Sequence, residues 1–326
     1  MNFDLSDEQR QLAAAAADFF ASAASPSAAR ASLDEGAPIA PGRKAITDTG
    51  FAAITVPESA GGGGGSVLDL AVVAEQAGRV LAGPSLITAA RAAVLLEGND
   101  EWLSALADGS KSFAILDGDG GATLDATTAD TFLAFRDGAL VVGGGTVTER
   151  SPIDATRGLA DVVLDDTKVV AAGASQWARA RQVAQVVLGA EGLGTASKAL
   201  EVAVDYAKQR VAFGRQIGSY QAIKHSLVDA FVGVEQLRSL VWWAAWTSDE
   251  SPEDLPLAAA AVKGMAATVL ETTAETLVQV HGGIGFTWEH DAHLYWRRAK
   301  VDRFLLGDDV EAFDTVARLA IAGAAK

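Results

Sequence analysis

The sequence predicts an α+β fold that is mostly α: a helical N-terminal domain, a small middle β domain and a C-terminal helical bundle. Three observations predict it. Apolar residues recur at helical spacing on both sides of a stretch, residues 111–173, whose short apolar runs are broken by Gly and Asp. The 326 residues, 49% hydrophobic and 21% charged, suffice for two or three domains closing on one another. No apolar run approaches the roughly 20 residues that a bilayer span needs. The expected domains are therefore 1–110, 111–173 and 174–326.

In chain order, Ser6 with Gln9 reads as a capping box, and Leu5, Leu12, Phe19 and Phe20 share one face of the helix it opens. Helices follow over Pro41 to Thr49, Val67 to Leu81, Pro84 to Leu96 and Asp100 to Ala107, each bounded by Gly, Pro or Asp. The five glycines Gly61 to Gly65 lack the Lys-Ser/Thr ending and preceding strand of a phosphate loop, so a flexible connection is expected. Strand character marks Ser112 to Leu116, Thr131 to Phe135, Ala139 to Val142 and Asp161 to Leu164. Beyond Ala174, Tyr220, Ile223, Leu227, Phe231, Val234 and Val241 recur at helical spacing, and a second long helix runs from Pro256 to Val280. Trp242, Trp243 and Trp246 crowd the first of these, either as core or as an interface.

Composition excludes several classes of function. A formal net charge of −16 repels nucleic acid and anionic membranes. With no cysteine, disulfides, thiolate nucleophiles, iron–sulfur clusters and Cys-based zinc sites are ruled out, and redox chemistry must come from a borrowed cofactor. The start of the chain, Met1 to Gln9, is acidic where a secretion signal is basic, so a cytoplasmic location is expected. Glu289, His290, Asp291 and His293 lie close together, but a solvated helix face is the better reading and no metal site is expected.

Two later segments carry the functional signal. In Arg210-Val211-Ala212-Phe213-Gly214-Arg215-Gln216-Ile217-Gly218-Ser219-Tyr220-Gln221, Arg210 ends one helix and Gln221 begins the next. An Arg offers a permanent charge and a planar fork that suit a dianion, Gly214 lets the backbone turn, and Gln221 offers both donor and acceptor. In Gln279-Val280-His281-Gly282-Gly283, the glycine pair can cap a helix and let a ligand approach the backbone. The alternatives are a connection in which Arg210 caps carbonyls and Phe213 is core, and a glycine-rich cap with no ligand.

Together, in this order, these segments resemble the C-terminal half of the acyl-CoA dehydrogenase family. Val56-Pro57-Glu58-Ser59-Ala60-Gly61-Gly62, followed by Leu70 to Arg79, is similar to that family's proline-glutamate loop and following helix. The resemblance implies an N-terminal helical domain, a middle β domain and a C-terminal four-helix bundle. It also implies that Arg210, Phe213, Gln221, Gln279, Gly282 and Gly283 hold the ADP half of an FAD bound to a neighbouring subunit.

Other family elements are missing. The resemblance places the base that removes the α proton of an acyl-CoA at one of two positions, and here these are Leu306 and Ala184. Neither side chain accepts a proton. Glu191 and Asp308 stand nearby as possible substitutes. The segment Ala114 to Asp125 has no counterpart of the residues that meet the flavin ring and acyl-CoA in the family. The sequence resembles the non-catalytic partner in actinobacterial α2β2 acyl-CoA dehydrogenases, several of them acting in steroid side-chain breakdown, with half the usual FAD sites. The resemblance thus implies a homologous catalytic partner that carries most of the acyl-CoA site. Two other readings stay open: a self-sufficient homomeric flavoenzyme with Glu191 or Asp308 as base, and a flavin-free scaffold.

Overall fold

The computed structural model describes residues 4–118, 121–170 and 173–324. Asp119 and Gly120 of the segment Ala114 to Asp125, and Met1 to Phe3, lie outside the described residues.

Six helices come first: α1 (Asp7–Ala23), α2 (Pro26–Asp34), α3 (Arg43–Asp48), α4 (Val67–Arg79), α5 (Leu86–Leu95) and α6 (Asp100–Ala107). The Ser6 capping box forms as its spacing predicts, with the Ser6 side chain accepting from the Gln9 amide and the Gln9 side chain returning the bond. Ser66 and Asp69 form a second box at α4. Helix α2 escapes the sequence reading because it is short and alanine-rich, although Ser25 caps it and Pro26 occupies its first turn.

Four strands follow: β1 (Phe113–Leu116), β2 (Thr131–Arg136), β3 (Ala139–Glu149) and β4 (Ala160–Val169). They form one sheet in sequence order, with β1 parallel to β2 and the other pairs antiparallel. All four residues of β1 are buried, whereas β4 is an exposed edge beyond its first residues.

Long helices complete the chain: α7 (Ala174–Gln209), α8 (Gln221–Glu250) and α9 (Leu255–His281), then α10 (Ala292–Asp302) and α11 (Asp309–Ala324). Helix α9 is central and touches α7, α8, α10 and α11. With the turn after it, Leu255–Phe286 is long and apolar enough to cross a membrane, contrary to the sequence expectation, but 61% of its most apolar window is buried within the protein. Its composition reflects the core it fills. Trp242 is buried and Trp243 packs half-buried against the same core, so α8 turns these rings inward.

Helix α7 threads the two helical regions together, and glycines set how closely. A Cβ on Gly78 of α4 would fall 1.9 Å from the Glu191 carbonyl oxygen, and one on Gly194 of α7 would fall 1.8 Å from that of Glu75. The helices meet backbone to backbone, and only glycine fits.

The run Gly61 to Gly65 is not a flexible connection. Gly62, Gly63, Gly64 and Gly65 donate to the carbonyls of Pro57, Ala53, Val56 and Ile54 at 2.7 to 3.1 Å, stitching the loop to the preceding turns. A Cβ on Gly62 would lie 2.2 Å from the Val56 carbonyl, so glycine here serves close packing.

Candidate functional site

The first segment folds as a hairpin between two rigid helices. Helix α7 stops at Arg210, where the backbone extends, and β5 (Val211–Ala212) pairs with β6 (Arg215–Gln216). Phe213 and Gly214 form the turn with φ of 52° and 80°. A bulky residue at positive φ is strained by roughly 1 kcal/mol or more, and the Phe213 ring is 97% exposed. The turn is braced by Ile217 donating to the Arg210 carbonyl at 2.8 Å and the Tyr220 hydroxyl donating to the Ala212 carbonyl at 3.0 Å.

Neither bland alternative survives for this segment. Arg210 is exposed and its guanidinium caps no carbonyl among the described residues, and Phe213 is outside the core. Gln221, the first residue of α8, is also exposed. Arg215 lies over the Tyr220 ring at 3.9 Å, and Lys224 is exposed one turn on. In a protein of net charge −16, this end of α7 and α8 holds Arg210, Arg215 and Lys224 without an acidic partner among the described residues.

The second segment lies alongside. Tyr206, one turn before Arg210, stacks on His281 with ring centroids 4.0 Å apart, and His281 precedes the glycine pair. The last turns of α7 and α9 therefore stand together, with Gln279, Gly282 and Gly283 exposed. Gly282 requires glycine through its φ of 64° and ψ of −143°. Gly283 does not: its φ is outside the left-handed region, and a Cβ there would meet nothing within 4 Å. The open space over Gly283 suits close approach by something outside this chain, and the surrounding donors and cations fit the pyrophosphate of a dinucleotide.

Just downstream lie Glu289, His290, Asp291 and His293. Among the described residues no three His, Cys, Asp or Glu side chains converge. They are not a solvated face either: His290 packs tilted against His281 with ring centroids 4.2 Å apart, Asp291 pairs with Arg30, and His293 is buried. The turn into α10 folds these polar residues back onto α2 and α9.

The chain also contains a cleft of its own. A cavity of 360 Å³ opens between α5, the end of β1 and the turn 304–307, lined by Ile87, Thr88, Ile115, Leu124 and Leu306 among others. Leu306 has φ of 59° and Gly307 φ of 96°. This strained turn is pinned by Lys263, which donates to the carbonyls of Asp302 at 3.2 Å and Arg303 at 2.8 Å, and by Gln185, which donates to the Leu306 carbonyl at 2.9 Å. The carboxylate lining the cavity among the described residues is Asp117, held by Arg91, whose guanidinium lies 4.8 Å from the Trp177 ring.

Neither substitute base reaches this cavity. Ala184 is fully buried in α7. Glu191 lies in a buried network, with one carboxylate oxygen accepting from both Arg157 and Arg298 at 2.6 Å. Arg157 also binds both oxygens of Asp302, at 2.8 and 2.6 Å, and Arg298 pairs with Asp154 and Thr156. Burial alone would lower Arg157, but the carboxylates of Asp302 and Glu191 outweigh it and hold the guanidinium above its usual range. For Asp154 burial pulls upward, and Arg298 and Arg157 outweigh it, holding the carboxyl below its usual range. Asp308 accepts from the Glu311 amide at 2.8 Å and caps α11. The sequence could not reveal this network, because its ion pairs join residues 34 to 145 positions apart.

Comparison with known proteins agrees with this architecture. Residues 6–110 match the acyl-CoA dehydrogenase N-terminal domain, and residues 172–321 match the acyl-CoA dehydrogenase C-terminal domain. The chain is 34% identical to the acyl-CoA dehydrogenase IpdE2 of Mycolicibacterium smegmatis over 93% of its own length and 96% of the relative's. It is also 34% identical to IpdE2 of Mycobacterium tuberculosis, over 90% and 91% of the two chains. Similar folds include the ChsE4–ChsE5 complex of Mycobacterium tuberculosis, at TM-score 0.84 and 23% identity, covering 98% of both chains. A variant of the steroid acyl-CoA dehydrogenase Tcur3481–Tcur3483 gives TM-score 0.84 at 24% identity, covering 98% and 99%. Matched at both ends and along nearly the full length of its relatives, the chain belongs to the acyl-CoA dehydrogenase family.

Proposed function

We propose that this chain is the non-catalytic subunit of a heteromeric, FAD-dependent acyl-CoA dehydrogenase, and that it grips the ADP half of a flavin held mainly by a homologous catalytic subunit. The observation that carries the reading is an asymmetry. The ADP-side residues Arg210, Phe213, Gln221, Gln279 and Gly283 face outward without internal partners, whereas Leu306 stands in the chain's own cleft at the family's base position. Two of the similar structures, the ChsE4–ChsE5 complex and Tcur3481–Tcur3483, are themselves pairs of chains.

Bound FAD supplies the acceptor for the β hydride of an acyl-CoA. Toward it, Arg210 supplies a fixed positive charge for the pyrophosphate, Gln221 and Gln279 supply donors and acceptors, and Phe213 covers the adenosine side. Gly282 and Gly283 leave the backbone free for close approach. Glu191 and Asp308 hold structure and move no proton. A steroid-derived CoA thioester as substrate fits the steroid enzyme among the similar folds.

The test is co-expression with a homologous acyl-CoA dehydrogenase chain, followed by flavin quantification per heterodimer. Arg210→Ala should leave assembly intact and weaken flavin retention by roughly 10- to 100-fold, the value of a charge-assisted hydrogen bond of about 1.5–3 kcal/mol. Stoichiometric FAD and full activity in the chain alone would overturn the proposal.

A further inference from the structure

A second cavity, of 400 Å³, lies across α5 from the cleft. Leu86 and Ala89 of α5 line it, whereas Ile87, Thr88 and Arg91 line the cleft. At about 100° per residue these two sets point to opposite sides of the helix, so α5 is a wall between separate spaces. The other walls are α3, the end of α6 and the start of β1, none of which belongs to the dinucleotide-facing surface. The volume falls near the lower end of the range, about 300–1,000 Å³, that holds organic ligands.

The lining divides into an apolar wall and a charged rim. Ile46, Leu86, Ala89, Leu106 and Phe113 supply the wall. Arg43, Lys44 and Lys111 stand at the rim with Asp48 and Asp108. Lys44 and Asp48 neutralise each other at 2.7 Å, and Asp108 accepts from the Ser110 amide at 2.8 Å. Arg43 and Lys111 pair with no carboxylate among the described residues.

Arg43 is held in place without being neutralised. Its Nε donates to the Thr128 hydroxyl at 2.9 Å, and its Nη2 reaches the carbonyls of Phe113 and Asp125 at 3.4 and 3.3 Å. Nη1 makes no hydrogen bond among the described residues. A half-buried guanidinium fixed by three neutral oxygens keeps its charge and a free edge, and it loses little freedom when an anion arrives. Three cations against two carboxylates leave this rim positive in a chain of net charge −16. The excess is small, so it matches a single negative charge, and Asp48 and Asp108 oppose a dianion.

We propose that this cavity binds a small monocarboxylate with an apolar body. The carboxylate sits on Arg43 and Lys111, and the hydrocarbon lies against Leu86, Leu106 and Phe113. The inference stands on this cavity alone and does not depend on the flavin reading.

Octanoate is the probe, titrated by calorimetry into the assembled complex. It should bind with a Kd of about 1 mM or below, the scale that roughly ten non-hydrogen atoms provide. Acetate has the charge without the body, and octylammonium has the body with the opposite charge. Both should bind about 10-fold more weakly or worse. In this chain, Arg43→Gln should weaken octanoate binding by about 10-fold or more, as loss of a hydrogen bond to a charged group does. Lys111 is exposed, so Lys111→Gln leaves the fold intact and should weaken binding by about 3-fold. Two controls should leave binding unchanged: Lys168→Gln, which removes the same charge from the exposed edge of β4, and Leu124→Phe, which narrows the cleft. No binding at millimolar octanoate, equal binding of octylammonium, tighter binding of inorganic phosphate, or loss with Leu124→Phe but not with Lys111→Gln would each overturn the inference.

Discussion

Glu191 shows how a residue's surroundings decide its chemistry. As a carboxylate near the expected site it was a plausible base, yet two guanidiniums occupy one of its oxygens and it is 1% exposed. Removing one partner from a buried ionic network leaves the others uncompensated, so Glu191→Gln should lower unfolding stability by about 3–5 kcal/mol. Chemical denaturation reads that loss, and the turnover per bound flavin of the assembled complex should stay unchanged. Asp308→Ala should cost about 1 kcal/mol, as loss of a helix N-cap does, again without changing turnover per flavin. A bell-shaped rate profile that loses one limb in either variant would restore that residue as a base. The placement of Arg210, Phe213 and Gln221 at a helix end, a turn and a helix start was legible in the sequence because the three lie within 12 residues. The network was illegible because Asp154 with Arg157, Glu191, and Arg298 with Asp302 come from three stretches far apart in the chain, and nothing in their local sequence marks them as partners.

At the scale of elements, helix punctuation was reliable where a cap and an apolar stripe coincide. Helix α6 starts at Asp100 and ends at Ala107 as expected, and α4 starts at Val67 behind the Ser66 cap. Elements with weak patterns were missed: α2 is short and alanine-rich, and α10 begins among polar residues whose burial depends on α2 and α9. Glycine was the least legible residue, because the same residue type serves three purposes here. At Gly78 and Gly194 it lets helices touch, at Gly62 it packs a folded loop, and at Gly283 a Cβ would meet nothing among the described residues. A contrast between substitutions follows. Gly194→Ala places a methyl group on backbone that cannot yield, and should destabilise by about 1–3 kcal/mol or more. Gly283→Ala should leave the denaturation midpoint within about 0.5 kcal/mol of the parent and reduce flavin retention in the complex. If Gly283→Ala instead retains flavin fully, the space above it serves no dinucleotide.

For the whole molecule, Lys263 couples the helical core to the turn that shapes the cleft. It is 1% exposed, and it fastens the carbonyls of Asp302 and Arg303, three and two residues from Leu305. Burial pulls its ammonium down to about 8, with the carboxylates of Asp302, Asp309 and Asp308 opposing that pull. In the unfolded chain a lysine titrates near 10.4. Between these values the unfolded state holds a proton that the folded state has released, so stability should rise with pH across this window. Below pH 8 both states are protonated and the contribution is constant. Above pH 10 a second group reverses the slope. Burial raises the Tyr295 phenol well above its ordinary value, so the unfolded chain ionises first and the folded state loses stability. Urea midpoints of the complex should therefore increase from pH 8 to about 10 and fall beyond it. Lys263→Met keeps the length and much of the packing while removing the charge, and should flatten the rising limb without changing the fall above pH 10. Parallel curves for parent and variant between pH 8 and 10 would mean that the ammonium is solvated in the folded protein, and that Lys263 does not hold the turn as a buried cation.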